Sequence, residues 1–227
     1  VNVYNNFVSD LKTPAATGTD AIRGIYISGG TNVRAYYNTV YLNATSSSVS
    51  TYGNTGIYGS TTTNVDLRNN IVVNLSTPGP TGGFVVAHRR SGTTLTQYIS
   101  TSNNNDFYVN PAAGVRRYYF SHGTTPTDCD STMGAYKTRV SPRDAASFAE
   151  NPPFVNVAGT PYDLHMQLVP PTQTESGGAP VTTPIYLTDD YDGEARNVST
   201  PDIGAAEFLG TGLDLSAPSM AYTTLAN

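Results

Sequence analysis

Four acids, Asp189, Asp190, Asp192 and Glu194, stand within six residues in the stretch TDDYDGEAR. Carboxylate oxygens at that density can hold calcium, the one cofactor to weigh for this chain. Their spacing is not that of the helix-flanked calcium loop. A turn at Asp192-Gly193, with Arg196 paired to Asp202 or Glu207 and pinning the last coil, accounts for the same residues without an ion. A second group is His88, Arg89 and Arg90, with Arg116 and Arg117 further on. Base and cations together suit proton abstraction beside a carboxylate, and basic side chains at loops equally suit a solvated surface. Asp106, Asp128 and Asp130 offer carboxylates for glycoside hydrolysis, which needs two of them about 5 to 10 Å apart. Nothing in the sequence places these three together. Tyr26 and Tyr58 recur in phase, with Tyr36, Tyr37, Tyr41 and Tyr52 nearby. A row of tyrosines packs against sugar rings and bonds their hydroxyls, or else covers a core edge. The candidate glycan face is therefore Tyr26, Tyr36, Tyr58, His88, Arg89 and Arg90. His122 and His165 have no ligand spacing, and Cys129 lies between Asp128 and Asp130, which raise a thiol's pKa rather than activate it.

These side chains hang on a repeat. GIYISGGTNVRAYYNTVYLN begins at Gly24, and GIYGSTTTNVDLRNNIVVNL begins at Gly56 with nine of twenty positions identical. Each unit reads as two strands, GIYIS and an NVRAYYNTVYL segment interrupted near Asn38, with Val33, Ala35 and Tyr37 on one side and Arg34 and Tyr36 on the other. A strand-turn-strand unit this short buries its apolar face only by stacking on its copies. The economical fold is all-β, a right-handed parallel β-helix with coils of about 32 residues. Asn6, Asn38 and Asn70 share one phase, and a looser copy follows in NNNDFYV at 103 to 109. In stacked coils the three asparagines form a structural ladder inside a bend, bonded to one another and to the turn backbone. A β-sandwich of similar hairpins is the competing arrangement, but the Asn-Gly and Asp-Gly turns it would use are nearly absent from the first 120 residues.

Charged residues are only 13% of the chain, and the net charge is −5. That balance offers no basic stripe for nucleic acid. No apolar run is long enough for membrane insertion. With one cysteine there is no internal disulfide and no cysteine-rich zinc site. Beyond residue 109 the texture changes. Arg143 to Glu150, after Ser141-Pro142, is the one stretch that reads as a helix. NPPFVNV and YDLHMQL read as two further strands.

Asn151, Pro152 and Phe154 are followed by Asp163, Leu164 and His165. Then come Asp190, Asp192, Gly193 and Arg196, and finally Pro201, Asp202, Ile203, Gly204, Ala205, Glu207 and Phe208. This order resembles a large family of secreted right-handed β-helix proteins, best represented in Bacteroidota and similar in fold to the pectate-lyase superfamily. The resemblance spans about residues 1 to 208, with Met166 and Ala206 as departures from the family pattern. It implies coils over 1–120, further coils and a closing segment over 121–208, and a linker or the first strand of a following domain over 209–227. Polysaccharide lyases of this fold class use Lys or Arg as base, with calcium or basic residues on the uronate carboxylate. Here the stacked aspartates of such a site are missing, and Asp66 is the only acid in the second strong repeat. The expectation is therefore a structural or adhesive module of a larger secreted or cell-surface protein, more a non-enzyme than an enzyme. Its partners would be flanking domains of the same polypeptide and an extracellular polysaccharide or surface protein. The alternative is a carbohydrate-binding module, or a lyase or glycoside hydrolase acting on extracellular glycan.

Overall fold

The computed structural model describes residues 1–47 and 49–215. Through them the chain winds as a right-handed parallel β-helix, and equivalent residues of its regular coils lie 32 positions apart. Each full coil has three strands, not the two read from the sequence. The first set is β1 (Asn2–Tyr4), β2 (Phe7–Val8) and β3 (Ile22–Ile27). Next come β4 (Asn32–Tyr36), β5 (Thr39–Leu42) and β6 (Asn54–Gly59), then β7 (Asn64–Arg68), β8 (Ile71–Asn74) and β9 (Val85–Arg90). The last are β10 (Asp106–Val109) and β11 (Arg117–Ser121). The interruption read near Asn38 is a full break between β4 and β5, because Tyr37 takes a left-handed conformation (φ 51°) and turns the chain.

Three parallel sheets run along the axis, in the orders β1-β4-β7, β2-β5-β8-β10 and β3-β6-β9-β11. In-register pairing sets Val33 over Val65, Ile25 over Ile57 and Val40 over Val72, so like residues stack in the core. Fully burying a side chain of this size contributes about 1.5–3 kcal/mol. The repeated glycine of the GIY motif also follows from stacking. A side chain at Gly24 or Gly56 would run into Val40 or Val72 and the backbone of the next coil.

The helix lies earlier than the sequence reading placed it. It is α1 (Met133–Val140), capped by the Thr132 hydroxyl accepting from the Ala135 N–H at 3.2 Å and burying Tyr136 and Val140 one turn apart. Residues 141–146 instead form turns and Phe148 bridges Asp106 in parallel: Asp144 is left-handed (φ 53°) and its carboxylate is drawn into the interior. Before the helix, β12 (Cys129–Asp130) pairs antiparallel with β11. After it, β13 (Phe154–Asn156) and β14 (Asp163–Met166) pair antiparallel. Their Phe154, Leu164 and Met166 pack with Tyr41, Ile71 and Val73 from β5 and β8. Among the described residues no helix is long and apolar enough to cross a membrane. The expected linker or strand over 209–227 lies outside the described residues from position 216 onward.

Candidate functional site

Inside the bend, side-chain amides form a one-directional chain. Asn6 Nδ2 donates to Asn38 Oδ1 at 2.7 Å, Asn38 to Asn70 at 3.0 Å, and Asn70 to Asn105 at 2.9 Å. Asn105 Nδ2 then donates to Asp144 Oδ1 at 2.9 Å, and the chain stops on a carboxylate, which has no hydrogen to pass on. Asn38, Asn70 and Asn105 each spend the second amide hydrogen on a strand carbonyl, Val3, Ala35 and Leu67 respectively. The Oδ1 atoms of Asn70 and Asn105 also accept the backbone N–H of Asn38 and Asn70, one coil earlier. Buried bend backbone is thereby satisfied with no water.

A second row runs outside the same bend. The residue before each ladder amide, Asn5, Tyr37, Asn69 or Asn104, has a positive φ of 51° to 56°. All four bond a strap made by residues 177 to 196. Asn104 Nδ2 donates to the Gly177 carbonyl at 3.0 Å, and Asn69 exchanges two hydrogen bonds with Ala179. Tyr37 donates to the Ala179 carbonyl at 3.0 Å, and Asn5 donates to the Asp189 carbonyl at 2.8 Å. Arg196 locks the strap: its guanidinium lies 3.9 Å over the Tyr37 ring and bonds Asn5 Oδ1, the Gly204 and Ala205 carbonyls and Glu207. The Asn-Asn dipeptides thus serve two rows. Their recurrence was a signal for the strap, masked in the second coil by Tyr37.

The acidic block belongs to this closure. Asp190 is buried, and its carboxylate accepts the N–H groups of Asp192, Glu194 and Glu207 at 2.9, 2.8 and 2.7 Å. Asp192 points instead to His165 Nε2 at 2.9 Å. Arg196 reaches Glu207, while Asp202 accepts the N–H groups of Ser176 and Phe208. Asp189, Asp190, Asp192 and Glu194 are therefore not gathered around one point, and no cluster able to hold a metal ion occurs among the described residues. Burial pushes the Asp202 carboxyl up to about 7 despite those two hydrogen bonds.

The residues of the candidate glycan face divide. Tyr26, Tyr58 and Arg89 stack in that order on the outer side of β3, β6 and β9. The rings of Tyr26 and Tyr58 meet edge-on at 5.2 Å. Arg23 lies over both, at 4.2 and 4.8 Å, held by Asp20 at 2.7 Å. A guanidinium already covers these rings. Tyr36, His88 and Arg90 leave the face altogether, because all three are fully buried. Tyr36 is roofed by Val181, Ile185 and Leu187 of the strap and donates to Asp66 at 2.7 Å. His88 and Arg90 occupy inward positions, His88 continuing the Ile25–Ile57 stack and Arg90 following Gly59. HRR, read as one face, is thus split by strand alternation, with only Arg89 outward.

That interior is polar. His88 Nδ1 lies 3.0 Å from the Tyr136 hydroxyl; Tyr136 and Tyr98 donate to Asp144 Oδ2 at 2.5 and 2.6 Å. Burial, then the nearby Arg90, holds His88 well below the usual imidazole range. Burial raises the Asp144 carboxyl although four side chains bond it. The constellation resembles an acid–base relay, but every member is buried and unreachable by substrate. The other candidates have local partners. Asp106 is buried and accepts the Glu150 N–H, Asp128 caps Thr125, and Asp130 pairs with Arg139. Arg116 bonds the Gly79 and Pro80 carbonyls, and Arg117 that of Ala113. The Cys129 thiol is raised by burial first and by Asp128 and Asp130 after it.

One of several open concavities lies on the outer side of β4 and β7. It measures about 210 Å³, and its lining includes Asn32, Arg34, Asn64, Asp66, Arg68 and Thr101. Asn64 Nδ2 donates to Asn32 Oδ1 at 3.0 Å, and among the described residues the Arg34 side chain hydrogen-bonds Asn2 Oδ1, at 3.3 Å, and no other group. Comparison with protein-family models, curated proteins and solved structures finds no match to the chain.

Proposed function

We propose that the chain is a non-catalytic structural or adhesive β-helix module of a larger secreted or cell-surface bacterial protein. One observation carries this reading: the side chains with chemical potential are spent on the scaffold. The ladder and the strap use the asparagines, Asp144, Asp190 and Arg196. The interior uses His88, Arg90 and Asp106. The sequence resemblance to secreted proteins of Bacteroidota supports the location. Incubating the chain with polygalacturonate and alginate, with and without calcium, tests it. No unsaturated product above a blank is expected, and its appearance would reverse the reading.

A second reading, glycan binding without turnover, draws support from the concavity beside Arg34. A guanidinium held only at 3.3 Å by Asn2 and flanked by two amides, with Asp66 neutralised by Arg68, suits a polyhydroxylated, acidic ligand. Retardation of the chain in an acidic-polysaccharide gel, lost in Arg34→Ala, would place binding there.

A further inference from the structure

The ladder has a direction, and its first member is incomplete. Both amide hydrogens of Asn6 are used, one on Asn38 Oδ1 at 2.7 Å and one on the local Tyr4 carbonyl at 2.8 Å. Its Oδ1 has no donor among the described residues, whereas Oδ1 of Asn70 and of Asn105 each takes an amide hydrogen and a backbone N–H from the coil before. Asn6 is also the one amide of the ladder that turns its second hydrogen to its own coil; the other three reach a strand carbonyl one coil back.

The surrounding edge has the same polarity. β1, β2 and β3 are the terminal strands of all three parallel sheets, at one end of the solenoid. Tyr4 and Asn6 are exposed and Val3 and Val8 half-buried, where their counterparts Tyr36, Asn38, Ala35 and Val40 are fully buried. The opposite end is finished. Asp144 closes the ladder with all its bonds made inside, and α1 packs against β11 and β12. A second copy stacking head to tail would bring no ladder amide to Asn6 Oδ1, because the ladder's far end is the acceptor Asp144. A two-fold pair would bring two such acceptors face to face.

We propose that the face formed by β1, β2 and β3 receives a further parallel β-helix coil, in which an asparagine in phase with Asn6 donates both its side-chain amide hydrogen and its backbone N–H to Asn6 Oδ1. This rests on reading the chain as a module of a longer protein, and it specifies the chemistry of the junction. The contact is main-chain strand addition on three sheets at once, with the amide fixing the register.

The test is a variant carrying a second copy of residues 33–64 fused directly ahead of Val1, which sets the copied Asn38 one 32-residue coil before Asn6. Hydrogen exchange over Asn2–Val8 and Ile22–Ile27 is expected to slow by about tenfold or more, with a higher melting temperature than the parent chain. A second variant carries Asn38→Asp in the copy alone, which has no side-chain hydrogen to give, and is expected to lose most of that protection. Equal protection in the two variants would overturn the amide assignment and leave the module reading standing. No protection in either would overturn both.

Discussion

Asn105 hands its side-chain hydrogen to Asp144 at 2.9 Å, and so a run of amides ends on the one carboxylate in the ladder. Asp144 Oδ1 also accepts from Ser147 at 2.7 Å, while Oδ2 takes the Tyr98 and Tyr136 hydroxyls. An acceptor-only group is what four converging donors require. An amide in its place would set N–H against N–H or O–H.

Substitution along the ladder is expected to cost more toward its buried end. Asn6→Leu, at the exposed end, should lower stability by about 1 kcal/mol or less; Asn38→Leu and Asn70→Leu by about 2–4 kcal/mol, as buried donors and acceptors in the bend lose partners. Asp144→Asn should be at least as damaging as Asn70→Leu. Urea denaturation followed by circular dichroism gives the ranking, and equal midpoints for Asn38→Leu and the parent would remove the ladder from the energetics.

Arg90 leads to a prediction of the opposite sign. Its guanidinium is fully buried, faces the Tyr98 ring at 5.3 Å, and has no carboxylate partner among the described residues. Nε and Nη1 make no hydrogen bond, and Nη2 reaches the Thr94 carbonyl only at 3.4 Å. Burial lowers its pKa. A buried cation without a counter-charge costs more than it returns. Arg90→Met, close in length and apolar, is therefore expected to be neutral or to stabilise by about 1–2 kcal/mol. A loss above about 2 kcal/mol in the same assay would show that Arg90 has a partner that those contacts do not include.

Legibility in the sequence followed the regularity of the spacing. Asn6, Asn38 and Asn70 are separated by a constant interval, so stacking and the inward phase of the bend could be read directly. Asn105 comes 35 residues after Asn70 and Asp144 39 after Asn105, since loops of changed length intervene, and Asp144 also changes the residue type. The Asn-Asn dipeptides marked one side of the strap contacts, but their partners were not readable, because they lie more than 70 residues away and meet through single side chains and carbonyls. His88 and Arg90 were misplaced for a local reason. HRR was read as one face, whereas alternation along β9 sends His88 and Arg90 inward over Ile57 and Gly59 and leaves Arg89 outside with Tyr58. Tyr36 does point outward, as alternation requires; it is buried by the strap, which periodicity does not encode.

The clasp around His165 gives the strap a pH dependence. Nδ1 lies 2.6 Å from Asp163 Oδ1 on the same strand, and Nε2 lies 2.9 Å from Asp192 Oδ2 on the turn that Asp190 organises. The rings of Phe7 and Tyr191 flank it at 4.9 and 6.3 Å. Partial burial works against the charged ring, but the hydrogen bonds to Asp163 and Asp192 outweigh it and raise the His165 pKa above 6.5. The same bond to His165 lowers the Asp163 carboxyl below 3.8. A folded-state His pKa above the unfolded value contributes stability that is complete below pH 6.5 and fades as pH rises through the folded value. The Asp163 share behaves inversely, present above pH 3.8 and lost as pH falls through its lowered value. The clasp thus contributes most in mild acid and weakens in mild alkali. These side chains are 40–43% exposed, so screening keeps the whole effect below about 1 kcal/mol and smaller still in high salt. His165→Gln should be less stable than the parent near about pH 5, and the difference should vanish by about pH 9. Proteolysis within residues 189–196 should follow the same profile, faster in the variant in acid and equal in alkali. A stability gap that does not change with pH would assign His165 a packing role against Phe7 and Tyr191 in place of a charged one.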